Sequence, residues 1–285
     1  MRSGTIAAPG AELYYEMRGA GPALLLIPGG PADAGVYAGL AEALSDRFTT
    51  IAYDPRGNSR SALLGARVDQ NLDVHAEDAV ALLSGLNFAS ASVFGSSGGA
   101  QIGLNLAARF PQRVETLVAH EPPCVRLAPD ADQAIAFLNK VDDSYRQGGV
   151  EAAIKAFMAG AGLENSDVRG GGAPSALPPE MQETFARIGR NWPFFFEHGL
   201  KPIGFFMPDI AALRAGPTRI IVGLGAESAG NGAERATIAL AERLETTPVT
   251  FPGDHGGYGA RPREFAEILS KVLGAGHSGV MPKAG

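Results

Sequence analysis

The chain has 285 residues, 45% of them hydrophobic, which suits one sizeable domain or a domain carrying a large insertion. A net charge of −6 without any basic run argues against a nucleic-acid partner, and no run reaches the roughly 18 apolar residues of a membrane span. The opening "MRSGTIAAPG" lacks the pattern of a secretory signal and the single cysteine, Cys124, has no internal disulfide partner, so a cytoplasmic protein is expected.

Glycine and proline, 38 and 20 residues, stay below the roughly 25–30% that marks a low-complexity chain. No repeat, CxxC pair or HExxH motif occurs, so no metal site is read from the sequence.

In chain order, "AELYYEMRG" (11–19) reads as an antiparallel edge strand. The apolar runs "ALLLIP" (23–28), "FTTIAY" (48–53), "ASVFG" (91–95) and "VETLVAH" (114–120) read as buried strands. Between them "YAGLAEALSDR", "NLDVHAEDAVALLSGL" and "GAQIGLNLAARFP" carry apolar residues at helical spacing. This alternation predicts an α/β fold, a mostly parallel sheet with helices on both faces. It lapses after about residue 124. Two helical segments (130–147, 149–160) are followed by the loop "VRGGGAPSALPP" and the aromatic-rich "NWPFFFEHGLKPIGFFMP". It resumes with the strand "TRIIVGL" (218–224), a helix at 231–244, the strand "PVTF" and a last helix at 262–273. The expected organisation is a core of residues 1–123 and 213–285 interrupted by a helical cap, 124–212, with a mobile tail "GAGHSGVMPKAG".

The strongest chemical signal is Gly95-Ser96-Ser97-Gly98-Gly99, a G-x-S-x-G run between a predicted strand and a predicted helix. Such a turn is sterically tight, so it needs glycine neighbours, and it lifts Ser97 out as a nucleophile at a helix N-terminus. The alternative is an ordinary glycine-rich turn or a phosphate cradle. A nucleophilic serine needs a base. Of the five histidines, His75 and His198 fall in helical or cap segments, His120 in a strand end and His277 in the tail. His255, in "FPGDHGGYG", follows the last predicted strand and emerges on the same sheet edge as Ser97. Oxyanion donors are expected from the N–H groups of Gly98 and of Gly30, the latter in "IPGGPADAG" after the first parallel strand. In "YDPRGNSRS", Asp54 and Arg56 read as a turn with a local ion pair, with substrate contact as the alternative.

The elbow, the Gly-Gly-Pro loop, "DPRGNSRS" and the late "PGDHGGY" together resemble the α/β-hydrolase fold family across nearly the whole chain. Within it, the early "YYE", the proline that opens the oxyanion loop, the Ser-Ser-Gly elbow and the His-Glu pair at 120–121 are similar to the zearalenone lactonases. The chain departs from that branch at Gly29, where the lactonases have Asp, and at Phe195, which falls where they have a substrate-contacting Trp.

Two carboxylates compete to orient His255. Glu227, in "VGLGAES", follows the strand where most of the family places its acid, but alignment on Gly225 puts Ser228 in the acid's position. Glu121 ends the strand beside the one that delivers Ser97, the position from which the resemblance implies that the lactonases take their acid. Its alternative is a strand-end charge paired with an arginine such as Arg126.

The resemblance implies an ester or lactone hydrolase with a Ser97–His255–Glu121 triad, or Glu227 as the alternative acid, and no cofactor. Trp192, Phe195, Phe196, Phe206 and Met207 of the cap, with Gly29, Pro31, Ser96 and Tyr258, are the expected contacts of a small apolar substrate, though cap aromatics also pack cores. A C–C bond hydrolase, a cofactor-free haloperoxidase and a non-catalytic ligand receptor are the alternatives. A homodimer is left open.

Overall fold

Strands dense in Leu, Val and Ile lie buried at the centre of the computed structural model, which describes residues 1–161 and 177–274. Among the described residues nine strands form one sheet: β1 (Arg2–Ala8), β2 (Ala11–Arg18), β3 (Ala23–Ile27), β4 (Thr49–Tyr53), β5 (Ala62–Leu63), β6 (Ala91–Ser96), β7 (Val114–His120), β8 (Arg219–Gly225) and β9 (Val249–Phe251). Their order is β1-β2-β4-β3-β6-β7-β8-β9, with β5 beside β2. Strands β4, β3, β6, β7, β8 and β9 pair in parallel, whereas β1, β2 and β5 pair antiparallel. The antiparallel strand read at 11–19 is present but is not the edge, because β1 pairs with it from Ala11 to Met17.

The helices are α1 (Ala38–Ala43), α2 (Leu72–Gly85), α3 (Gly98–Arg109), α4 (Ala131–Gly160), α5 (Pro179–Phe194), α6 (Leu200–Gly204), α7 (Ile210–Ala215), α8 (Gly232–Arg243), α9 (Gly257–Ala260) and α10 (Pro262–Gly274). Helix α4 is broken at Gly149 (φ 72°, ψ −165°), which divides it into the two segments read from the sequence. A π-helical turn, Phe195–Gly199, joins α5 to α6, and Pro193 lies just before it. Proline removes a backbone donor, which favours such a local widening. The tail beyond Gly274 and most of the loop "VRGGGAPSALPP" lie outside the described residues.

Alternation along the central strands feeds two cores. Leu25, Ile27, Val93 and Leu117 pack with side chains of α2 and α3 on one face, and Leu24, Leu26, Phe94 and Val118 with those of α1 and α10 on the other. Leu138, Val141, Phe195, Phe196 and Ile203, from the helical stretch between β7 and β8, extend the first core. Among the described residues no helix is long and apolar enough to cross a membrane.

Candidate active site

Strand β6 is buried to its last residue and α3 begins two residues on, so the chain must turn within Ser97. Ser97 sits at φ 56°, ψ −128°, a strained conformation for a residue with a side chain. Its N–H donates to the His120 carbonyl (2.9 Å) on the neighbouring strand, which holds the turn in place. The turn tolerates no side chain behind it: a Cβ on Gly99 would come within 2.0 Å of the Ile27 carbonyl oxygen.

The loop after β3 packs against this elbow. A Cβ on Gly29 would lie 2.8 Å from the Gly98 nitrogen and 2.9 Å from Ser97 Cβ, and one on Gly98 would lie 3.4 Å from the Gly30 nitrogen. The segments that carry the two backbone nitrogens expected to serve an oxyanion therefore pack closely together next to Ser97. Gly30 has φ 54°, the left-handed region that favours glycine.

Three strand ends, those of β7, β8 and β9, meet at Glu121. His255, just past β9, donates from Nδ1 to Glu121 Oε2 at 2.7 Å, and the Gly225 N–H donates to Oε1 at 2.8 Å. Glu121 is fully buried at the end of β7 with φ 46°, and its own N–H donates to the Gly223 carbonyl (3.0 Å). Burial by itself would raise this carboxyl. The hydrogen bond and charge of His255, with His120 and the nearby Ser228 hydroxyl, overcome burial and hold it at about 2. Ser228 Oγ falls short of hydrogen-bond geometry and has no other partner, so its share is the smallest. With Nδ1 committed to a carboxylate, Nε2 is the ring nitrogen left for a hydroxyl.

Glu227 lies elsewhere. It pairs with Arg261 at 2.6 Å and its side chain is 51% exposed. Arg126 reaches the Phe205 carbonyl (3.5 Å), so it is not the partner of Glu121.

Other expected contacts separate. Ser96 is 1% exposed and its hydroxyl meets His120 Nδ1 at 3.3 Å, because side chains alternate along β6 and its neighbour Ser97 takes the open side. Tyr258 packs its ring 5.0 Å from Tyr37 and 6.1 Å from Phe94 in the second core, and burial pushes its hydroxyl up to about 12. His120, beneath the triad candidates, is driven down to about 4 by burial despite the adjacent Glu121, so it is neutral at physiological pH.

Among the aromatics, Trp192 stacks on Phe196 (5.1 Å) and meets Phe195 edge-on (5.8 Å). The Phe195 ring lies 3.7 Å from where a Gly30 Cβ would be. Phe206 is outside this cluster and lines a surface recess with Asp69, Gln70 and Pro202, while Met207 is 45% exposed. Pro31 and Gly29 are half-buried in the loop beside the elbow. Among the described residues no group of three or more His, Cys, Asp or Glu side chains is arranged to hold a metal ion.

The family profile described as the alpha/beta hydrolase fold matches residues 22–159. The hydrolase YraK of Bacillus subtilis (strain 168) is 32% identical over 279 residues, 96% of each chain. The chain belongs to the α/β-hydrolase family. A second relative, the zearalenone hydrolase of Cladophialophora bantiana, is 26% identical over 94% of this chain and 95% of its own. The solved thermophilic esterase of Thermogutta terrifontis superposes with a TM-score of 0.75 at 20% identity, over 98% of this chain and 100% of that one, a likeness of fold.

The hydrolase fold also holds residues that the sequence reading missed. Ile203, from α6, places a methyl 3.1 Å from where a Gly98 Cβ would be, so it packs over Gly98 as Phe195 does over Gly30. Nothing in "LKPIGFF" distinguishes Ile203 from a core residue. Asp54 does form an ion pair, but with Arg60 (2.8 Å), while Arg56 crosses to Asp78. Asp54 also accepts from the Ala34 N–H (2.9 Å), tying the "DPRGNSRS" turn to the loop after β3. Asn58 of that turn donates to the Gly30 and Ala32 carbonyls, both at 3.1 Å.

Proposed function

We propose that the protein is a serine esterase or lactonase acting through Ser97, His255 and Glu121. The observation that carries this reading is the 2.7 Å contact between His255 Nδ1 and the buried Glu121 carboxylate. A histidine whose Nδ1–H is held by a buried anion is a base at Nε2, and the anion stabilises the imidazolium that forms. In this reading His255 takes the Ser97 proton as the serine oxygen attacks the ester carbonyl. The Gly30 and Gly98 N–H groups hold the oxyanion. The imidazolium then protonates the leaving alkoxide, and a water deprotonated by the same imidazole cleaves the acyl-enzyme. No step calls for a metal or an organic cofactor.

Residues 124–212 serve as the cap in this proposal. The Trp192, Phe195 and Phe196 rings supply an apolar wall over the glycine donors, which suits an apolar ester. The likeness to zearalenone hydrolases adds a macrolactone to the substrates to be tried.

Nitrophenyl esters of graded acyl length and a set of lactones, each run with Ser97→Ala as control, test the reading. Turnover that Ser97→Ala abolishes supports it. Tight ligand binding with no Ser97-dependent turnover on any of them would replace it with a receptor.

A further inference from the structure

The Gly29–Ala32 segment is a four-residue turn closed by the Ala32 N–H on the Gly29 carbonyl (3.1 Å). All of its carbonyls are held. Asn58 Nδ2 takes those of Gly30 and Ala32, and the Pro31 carbonyl accepts from Asn191 Nδ2 at 2.7 Å. Asn191 belongs to α5, in the helical stretch between β7 and β8, and is only 5% exposed. Its amide is fully used: Nδ2 also donates to Ser59 Oγ (2.9 Å), and Oδ1 accepts from the Ser59 N–H (2.9 Å).

One helical turn earlier, on the same face of α5, Arg187 Nε donates to the buried Asp33 Oδ2 at 2.7 Å. Asp33 Oδ1 in turn accepts the Gly35 N–H (2.8 Å) and caps the short helical turn that follows the loop. A single face of α5 thus grips the loop at Pro31 and at Asp33, on either side of Ala32.

We propose that Asn191 is a positioning residue for the oxyanion hole, holding the Gly30 N–H in line through the Pro31 carbonyl, with Arg187 as a second anchor. This rests on the serine-hydrolase reading above. The donor N–H is useful only where it already points at the charge that forms, because a group that must reorient during reaction gives back part of what it supplies. Rotation of the turn about Gly30 swings the Pro31 carbonyl, and the bond from Asn191 opposes that rotation. The support comes from outside the sheet, so the helical stretch contributes to the chemical step as well as to the walls of the site.

The test compares Asn191→Ala with wild type on a short nitrophenyl ester and on its thiono counterpart, with rates counted per site titrated by a phosphonate that bonds Ser97. Sulfur accepts hydrogen bonds weakly and gains little from aligned donors, so misalignment penalises the oxygen ester more. Asn191→Ala should lower kcat on the oxygen ester by about 10- to 100-fold with KM within about twofold, and the oxygen-to-thiono rate ratio should fall about tenfold. Arg187→Gln should move both in the same direction by less, and it stands in if the alanine variant does not fold. Equal losses on both esters, or an unchanged kcat, overturn the proposal while leaving the serine-hydrolase reading intact. If wild type shows no turnover that Ser97→Ala removes, that reading and this inference fall together.

Discussion

Glu121 concentrates the electrostatics of the site in one side chain. It is fully buried, yet it remains an anion because His255 and the Gly225 N–H both donate to it. Replacing it with Gln keeps the shape but lets His255 settle in the wrong tautomer, so Glu121→Gln should lower kcat by about 10⁴-fold. Glu227→Gln loses only a surface pair with Arg261, and its kcat should stay close to wild type in the same steady-state assay. A pH dependence of stability follows as well. The folded-state value of Glu121, about 2, lies below its ordinary 4.5, so the unfolded chain takes up the proton first as pH falls. The stability that Glu121 contributes is complete above its ordinary value and is lost as pH drops through the folded value. In denaturant unfolding, the advantage of wild type over Glu121→Gln should therefore shrink as pH falls from 4.5 towards 2.

At the scale of elements, the elbow and the long helices behave oppositely toward glycine. Gly99 has the Ile27 carbonyl against its open side, and Gly99→Ala should give little folded protein, judged by circular dichroism and gel filtration. Gly189 lies in the interior of α5, where an added Cβ would meet nothing within 4 Å. Gly189→Ala should therefore raise the unfolding free energy by roughly 0.5–1 kcal/mol in denaturant titrations. Strand β7 was legible to the residue, since a β-rich run is stopped by the two prolines at 122 and 123. Strand β1 was not, because "RSGTIAA" offers Ile6 as its one large apolar residue and lies beyond the strand that was read as the edge. Proline and alternation are local signals. Being outermost in a sheet is not.

Across the whole molecule, the sheet separates two clusters of buried side chains. Phe94 and its neighbour Val93 point to opposite faces of β6 and join different clusters. Phe94→Ala should cost ~3–5 kcal/mol and Leu82→Ala, on the other face, ~2–5 kcal/mol. The double variant should show the sum of the two within about 0.5 kcal/mol by denaturant unfolding, since the two side chains pack in different clusters on opposite faces of the sheet. A larger departure would mean that the cores are coupled.

Sequence alone determined the α/β alternation, the tight G-x-S-x-G turn and the histidine past the last strand. These depend on steric and periodic rules that act over a few residues. Only the tertiary structure decided which carboxylate meets His255, because that depends on where β7, β8 and β9 end relative to one another. Glu121 is 134 residues from the histidine, and nearer Glu227 turns out to Arg261. The same holds for Asn191, 160 residues from the Pro31 carbonyl it holds. In the sequence it is one polar residue before Trp192 at the start of an aromatic run. Its amide acquires a role only when α5 is laid across the loop after β3, and no local pattern records that a distant carbonyl will lack another donor.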